Sequence, residues 1–223
     1  MPKILVFASG TASGGGSGFE NLVRHSRDPQ GDLKAEIVGV VSNHQNGGVR
    51  LRAEALHVPF FHFPEPHDAE HYRELAARSG AEWFALSGWL KMIHGLDPAR
   101  TFNVHPALLS ALGGRFGGAN MYGRKVHEAV KAALETGEIT GSGVSMHFVT
   151  DEYDRGPVFF EHPMPLRPGM SAEEIQEKVY GIERVWQPKI TNLIVNGDIS
   201  WDGKDPSTLK VPEGYTFLPK RNS

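Results

Sequence analysis

Short apolar runs, spaced by helix-length segments, restrict the fold of this sequence more than any other feature. Ile4–Ala8 is continuously apolar and ends at Ser9-Gly10. Ala35–Ser42 reads A-E-I-V-G-V-V-S, and Pro59–Phe63, Trp83–Leu86 and Thr101–His105 follow. Val49–Leu56 and His71–Ser79 read as helices between them, and a further helix starts at Phe19-Glu20-Asn21-Leu22. Strands alternating with helices build parallel βαβ units, in which a strand is covered on both faces and is apolar throughout.

The second half has a different pattern. Val126, Ala129, Val130, Ala133 and Leu134 recur at helical spacing, which predicts a helix over Val126–Leu134. Gly143–Val149 alternates, with Val144, Met146 and Phe148 on one side, as in a half-buried strand, and Val158–Glu161 is a short strand. Ser171-x-x-Glu174 is a capping box. It opens a long helix with the stripe Ile175, Val179, Ile182, Trp186, Ile190, Leu193. The tail, Asn196–Ser223, reads as an irregular surface wrap. No repeat and no linker divides the chain, so 1–223 reads as a single domain.

Composition narrows the chemistry. The 223 residues include no Cys, which excludes disulfides, iron–sulfur clusters and thiolate zinc sites. His57, His62, His67 and His71 cluster in sequence but form no H-E-x-x-H, so no metal is expected. The net charge of −3, with no basic stretch, argues against nucleic acid as a partner. No apolar run approaches the ~20 residues of a membrane span, and Met1–Ala8 falls short of the roughly 7–15-residue core of a signal peptide. The expectation is a soluble, cytoplasmic protein without a membrane partner.

Four segments carry candidate chemistry. Ser9-Gly10-Thr11-Ala12-Ser13-Gly14-Gly15-Gly16-Ser17-Gly18 lies between the first strand and a helix start, where backbone N–H groups and the helix terminus favour an anion. It contains neither G-x-G-x-x-G nor the P-loop pattern. In Phe102-Asn103-Val104-His105-Pro106, residues two apart on a strand share a face, so Asn103 and His105 aim together at its C-terminal end. An amide donor beside an imidazole suits a developing oxyanion, although a lone His at a strand end is more often structural. Thr150-Asp151-Glu152-Tyr153-Asp154-Arg155-Gly156-Pro157 is either an ordinary turn or the source of a carboxylate that orients a His. Leu86–Ile93 is either core or the lining of a flat apolar pocket.

In this order, the motifs resemble the folate-dependent formyltransferases, and among them the phosphoribosylglycinamide formyltransferases, over about residues 3–201. The resemblance rests on the Ser-Gly and glycine-rich loop, Leu-x-Gly-Trp-Leu-Lys-Met, Asn103-Val104-His105-Pro106 and the segment His147–Pro157. It implies an α/β fold, a Rossmann-like, mostly parallel sheet flanked by helices, with antiparallel strands added in the C-terminal half. Residues 1–100 would be the nucleotide- or phosphate-binding half, 101–201 the catalytic and folate-binding half, and 202–223 an irregular tail. It also implies transfer of a formyl group from the co-substrate 10-formyltetrahydrofolate to the amine of 5-phosphoribosylglycinamide in purine biosynthesis, with no metal.

The resemblance makes Asn103, His105 and Asp154 catalytic, with Asp154 keeping His105 protonated. Folate would be held by Leu90, Lys91, Met92, Ile93 and Asn103, with Thr150, Asp151, Glu152, Tyr153 and Asp154. Thr11, Ala12, Ser13 and Asn21 would bind the substrate phosphate, and Glu183 the ribose. The partners are small molecules, and a homodimer is one open arrangement.

The sequence departs from the family pattern in three places: ten residues separate Gly10 from Asn21, glycines fill Gly113–Gly123, and the tail runs past Trp201. Both glycine-rich loops are expected to order on a ligand, with Arg115, Arg124 or Lys125 as charge partners of a phosphate. Rival readings on the same scaffold are a formyltransferase for a nucleotide-linked amino sugar and a non-catalytic folate- or phosphate-binding protein. A formyltetrahydrofolate hydrolase or an initiator-tRNA formyltransferase is expected to carry a further domain.

Overall fold

The computed structural model describes residues 1–219. Seven strands form one sheet: β1 Lys3–Phe7, β2 Glu36–Ser42, β3 Phe60–His62, β4 Trp83–Leu86, β5 Thr101–His105, β6 Gly141–Phe148 and β7 Val158–Pro165. Their order is β3-β2-β1-β4-β5-β6-β7. The first five run parallel, and β6 and β7 are added antiparallel. This is the expected Rossmann-like sheet with its antiparallel extension.

The helices are α1 Ser17–Arg27, α2 Gly48–Ala55, α3 Ala69–Ser79, α4 Arg124–Glu135 and α5 Ala172–Val195. Apolar residues of α1, α2, α4 and α5 share one core with the sheet, including Phe19, Leu22, Ala53, Val130 and Ile190. Tyr72 and Leu75 of α3 pack on the other face with Phe7, Phe84 and Trp89. Strand order reverses between β1 and β4, and ligands gather at such a switch point, outside the C-terminal strand ends. Here the two strand ends are stitched together: Ser9 N–H donates to Gly88 O at 2.9 Å, and Leu90 N–H to Ser9 Oγ at 3.0 Å.

Two elements differ from expectation. β6 is buried along nearly its whole length rather than on one side, because the chain after β5 covers its second face: Leu109 N–H donates to Ser145 Oγ at 2.9 Å, and the Leu108 side chain lies over Gly143. β7 runs four residues beyond Glu161, through Pro163 to Pro165. Proline lacks the ladder N–H and is tolerated there because β7 is an edge strand. Through residue 219 the tail is the irregular, largely surface segment expected, and it is pinned to the body at a few points. Ile199 and Trp201 are buried, Phe217 lies 4.7 Å from the Trp186 ring, and Phe217 O accepts the Glu161 N–H at 2.7 Å. The last four residues of the expected tail lie outside the described residues.

Pro188 sits inside α5. Having no N–H, it leaves the carbonyl of Arg184 without its helical donor. Asn21 of α1 fills the gap: its Nδ2 donates to Arg184 O at 2.9 Å.

Candidate active site

One cavity of about 900 Å³ opens at the switch point, walled by the glycine-rich loop, the ends of β4 and β5, the 118–123 segment and α5. Asn103 and His105 reach it from β5. β6 pairs antiparallel with β5 so that Asn103 faces His147 and His105 faces Ser145. Val144, Met146 and Phe148 of β6 fill the core, while on its other face His147 meets Asn103 and Ser145 turns to Ala107 O and the Leu109 N–H.

Asp154 enters from the β6–β7 connection with a left-handed backbone, φ 53°. Its Oδ2 accepts the Gly118 N–H at 2.9 Å and stands 3.7 Å from His105 Nδ1. Its Oδ1 is 3.3 Å from His147 Nε2 and 3.4 Å from Asn103 Nδ2. His147 Nδ1 donates to Phe148 O at 2.8 Å. A neutral His147 then presents the Nε2 lone pair to Asn103 Nδ2, 3.2 Å away, while an imidazolium donates Nε2–H to Asp154. Sequence reasoning did not assign His147 a role, and strand pairing was the signal that would have found it.

Burial opposes ionisation of Asp154, but hydrogen bonding from His147, the charges of His105 and His147 and the Gly118 N–H outweigh it, and its pKa falls to about 2. For His105 the balance goes the other way. Burial lowers its pKa despite the Asp154 carboxylate, which raises it. Burial thus works against the expected protonation of His105, which the Asp154 carboxylate favours. His105 Nε2 lies 2.6 Å from Phe116 O, and a carbonyl only accepts, so Nε2 carries the proton and Nδ1 the lone pair.

The cavity gathers some expected residues and leaves others outside. Thr11, Leu90, Tyr153 and Glu183 line it with Asn103, His105 and Asp154. Burial pushes the Glu183 carboxyl up to about 7. Lys91, Met92 and Ile93 lie beyond Leu90, outside the lining, and so do Thr150, Asp151 and Glu152. Ile93 packs in the core beside α3.

Neither Ala12 nor Ser13 lines the cavity, and Ala12 borders a separate hollow with Asn46 and Arg50. Asn21 is turned away to Arg184 O. In their place Gly15, Gly16, Ser17 and Gly18 form the wall. Gly16 precedes α1 at φ 78° and offers no side-chain cap. The first helical bond is made by Glu20 N–H to Gly16 O, so the Ser17 and Gly18 N–H groups are free of intrahelical partners.

Both glycine-rich loops already have protein partners. Thr11 N–H donates to Gly14 O at 2.8 Å, Gly14 N–H to Thr11 Oγ1 at 3.0 Å and Arg52 Nε to Gly15 O at 2.9 Å. In the second loop Phe116 is buried. The proposed charge partners are occupied elsewhere. Arg115 pairs with Glu138, Arg124 with Glu128 and Glu173, and Lys125 lies 4.8 Å from the centre of the Tyr122 ring. Among the described residues no Lys or Arg lines the cavity, whereas Asp154, Glu173, Glu177 and Glu183 do. His127 of α4 also lines it and is buried, with Nδ1 unpaired among the described residues. Burial, then the charge of His105, pushes its pKa down to about 4. Among the described residues no group of three His, Asp or Glu side chains is arranged to hold a metal ion.

The sequence profile of the formyl transferase family matches residues 2–191. The chain belongs to this family. A chloroplastic phosphoribosylglycinamide formyltransferase of Arabidopsis thaliana is 32% identical over 89% of this chain and 67% of its own length. The Bacillus subtilis phosphoribosylglycinamide formyltransferase is 28% identical over 87% of this chain and 95% of its own. The crystal structure of phosphoribosylglycinamide formyltransferase from Anaplasma phagocytophilum shares the fold. Its TM-score is 0.78 at 22% identity, over 97% of both chains. The glycinamide ribonucleotide transformylase 1 of Geobacillus kaustophilus superposes with a TM-score of 0.72 at 25% identity, over 87% of this chain and 99% of that one.

Proposed function

We propose that this formyl transferase moves the formyl group of 10-formyltetrahydrofolate to the amine of 5-phosphoribosylglycinamide. The observation that carries the reading is the convergence of Asn103, His105 and Asp154 in one cavity with the open N–H groups of Ser17 and Gly18. The acceptor's phosphate sits at the start of α1, where N–H donors and the helix dipole favour an anion. Glu183 faces the ribose. Leu90, Tyr153 and Asp154 border the formyl donor.

The amine nitrogen attacks the formyl carbon, and charge develops on the formyl oxygen. Asn103 Nδ2–H donates to that oxygen. His105 Nδ1, holding a lone pair, takes the proton lost by the attacking nitrogen. Asp154 then faces an imidazolium and stabilises it. The proton passes to the departing folate nitrogen as the old C–N bond breaks.

A nucleotide-linked amino sugar would bring a diphosphate, two anionic groups, to a cavity that offers one helix start for an anion and, among the described residues, no Lys or Arg, which disfavours that acceptor. A turnover assay that follows folate absorbance tests the reading. Deformylation that depends on glycinamide ribonucleotide is expected. Turnover only with sugar amines, or binding of both ligands without transfer, overturns it.

A further inference from the structure

Ser87 and Gln187 have no part in the chemistry above, yet they join three walls of the cavity. Ser87 follows β4 at the switch point and is held by its N–H to Phe7 O at 2.9 Å. Its side chain rests against the first turn of α1, where a Cβ on Gly18 would overlap Ser87 Oγ. Gln187 lies on α5 one turn beyond Glu183 and is only 3% exposed. Gln187 Nε2 donates to Ser87 Oγ at 3.1 Å.

A hydroxyl has one proton and two lone pairs. Gln187 occupies a lone pair, and the proton finds no acceptor among the described residues. Ser87 lines the same cavity as Ser17 and Gly18. We propose that Ser87 Oγ–H donates a hydrogen bond to the anionic group bound at the start of α1, and that Gln187 is the positioning residue that fixes the direction of that hydroxyl. The inference rests on the reading in which the acceptor's phosphate occupies this place. It answers an electrostatic need. With no Lys or Arg in the lining among the described residues, neutral donors carry the phosphate contacts there, and Ser87 supplies one beside the helix N–H groups. Gly18 lets the serine oxygen come this close, since any side chain there would displace it.

The test uses Ser87→Ala, Gln187→Leu and the double variant. Inorganic phosphate is titrated calorimetrically, and KM is measured for the ribonucleotide and for 10-formyltetrahydrofolate. Ser87→Ala is expected to weaken phosphate binding and raise the ribonucleotide KM by about tenfold, the order of one hydrogen bond to a charged acceptor. The folate KM should stay put. Gln187→Leu should cost less, and the double variant should match Ser87→Ala, because the glutamine acts only through the serine. Unchanged phosphate affinity in Ser87→Ala, a further loss from Gln187→Leu on the alanine background, or equal shifts in both KM values would overturn the assignment. If the wild type binds phosphate but formylates no ribonucleotide, the proposed function fails while the titration still decides the role of Ser87.

Discussion

Asn21 separates a structural from a ligand-binding reading of the first helix. By resemblance it binds the substrate phosphate; in the structure its amide serves the Arg184 carbonyl that Pro188 leaves bare. Asn21→Ala removes the donor from a buried position, 9% exposed. An unsatisfied buried carbonyl costs about 1–3 kcal/mol. For a chain of this size each kcal/mol lowers Tm by roughly 2–4 °C, so a fall on the order of 3–10 °C is expected, with a matching drop in the urea midpoint at unchanged m-value. Because α1 and α5 both wall the cavity, the ribonucleotide KM should rise by no more than about threefold. Asn21→Asp should be at least as damaging to stability, since it replaces the donor with an acceptor facing a carbonyl. Thermal melts, urea titrations and steady-state kinetics on the same preparations decide the matter. A tenfold or larger rise in ribonucleotide KM at wild-type stability would refute the structural role and return Asn21 to the phosphate.

Three further outcomes follow from the site. His105→Ala should lower kcat on the order of a hundredfold with little change in either KM, because it acts on protons and charge that move in the transition state; near-wild-type kcat would exclude the proposed mechanism. Asp154→Asn keeps a residue tolerant of the left-handed backbone but loses a carboxylate whose pKa is depressed to about 2. The stability that carboxylate contributes, roughly 2–3 kcal/mol, is present above its unfolded pKa near 4 and lost as pH falls through 2; acid titration of the variant should be correspondingly flatter, and identical curves would contradict this. Glu183 is raised to about 7, so it costs stability as pH climbs from about 4.5 to 7, and Glu183→Gln should relieve that cost. Since Gln resembles the protonated acid, the variant's ribonucleotide KM should exceed wild type at pH 8 and match it at pH 6; the same ratio at both pH values would place Glu183 away from the ribose.

Local patterns were enough wherever one segment determines its own structure. Trp83–Leu86 and Thr101–His105 fall where the apolar runs end, and the shared face of Asn103 and His105 follows from the two-residue period of a strand. The capping box at Ser171 is present with both of its hydrogen bonds. What escaped the sequence needs a partner segment. The polar side of β6 looked like a solvent face because nothing local reveals that β5 places Asn103 opposite His147. β7 was cut short because proline normally stops a strand, and only its place at the sheet edge removes the objection. Asn21 drew attention through motif spacing, but the Pro188 gap it fills lies more than 160 residues away.

The arrangement of charge ties these parts to the reaction. A cavity that receives a phosphate, as proposed, would ordinarily recruit Lys or Arg, and among the described residues none lines it. A lysine or arginine in that lining would pair with Asp154, whose two oxygens are divided among His105, His147, Asn103 and the Gly118 N–H. Asp154 would then be less available when His105 gains a proton. On the proposed reading, binding the phosphate through neutral N–H donors leaves the positive charge that develops on the imidazole next to its carboxylate. Burial works in the same direction: it lowers the pKa of His105 and of His127, which favours a free lone pair on the proposed base. On the proposed mechanism, the lone pair of His105 Nδ1 and the carboxylate of Asp154, 3.7 Å apart, act as one unit that receives the proton of the amine and stabilises the charge it brings.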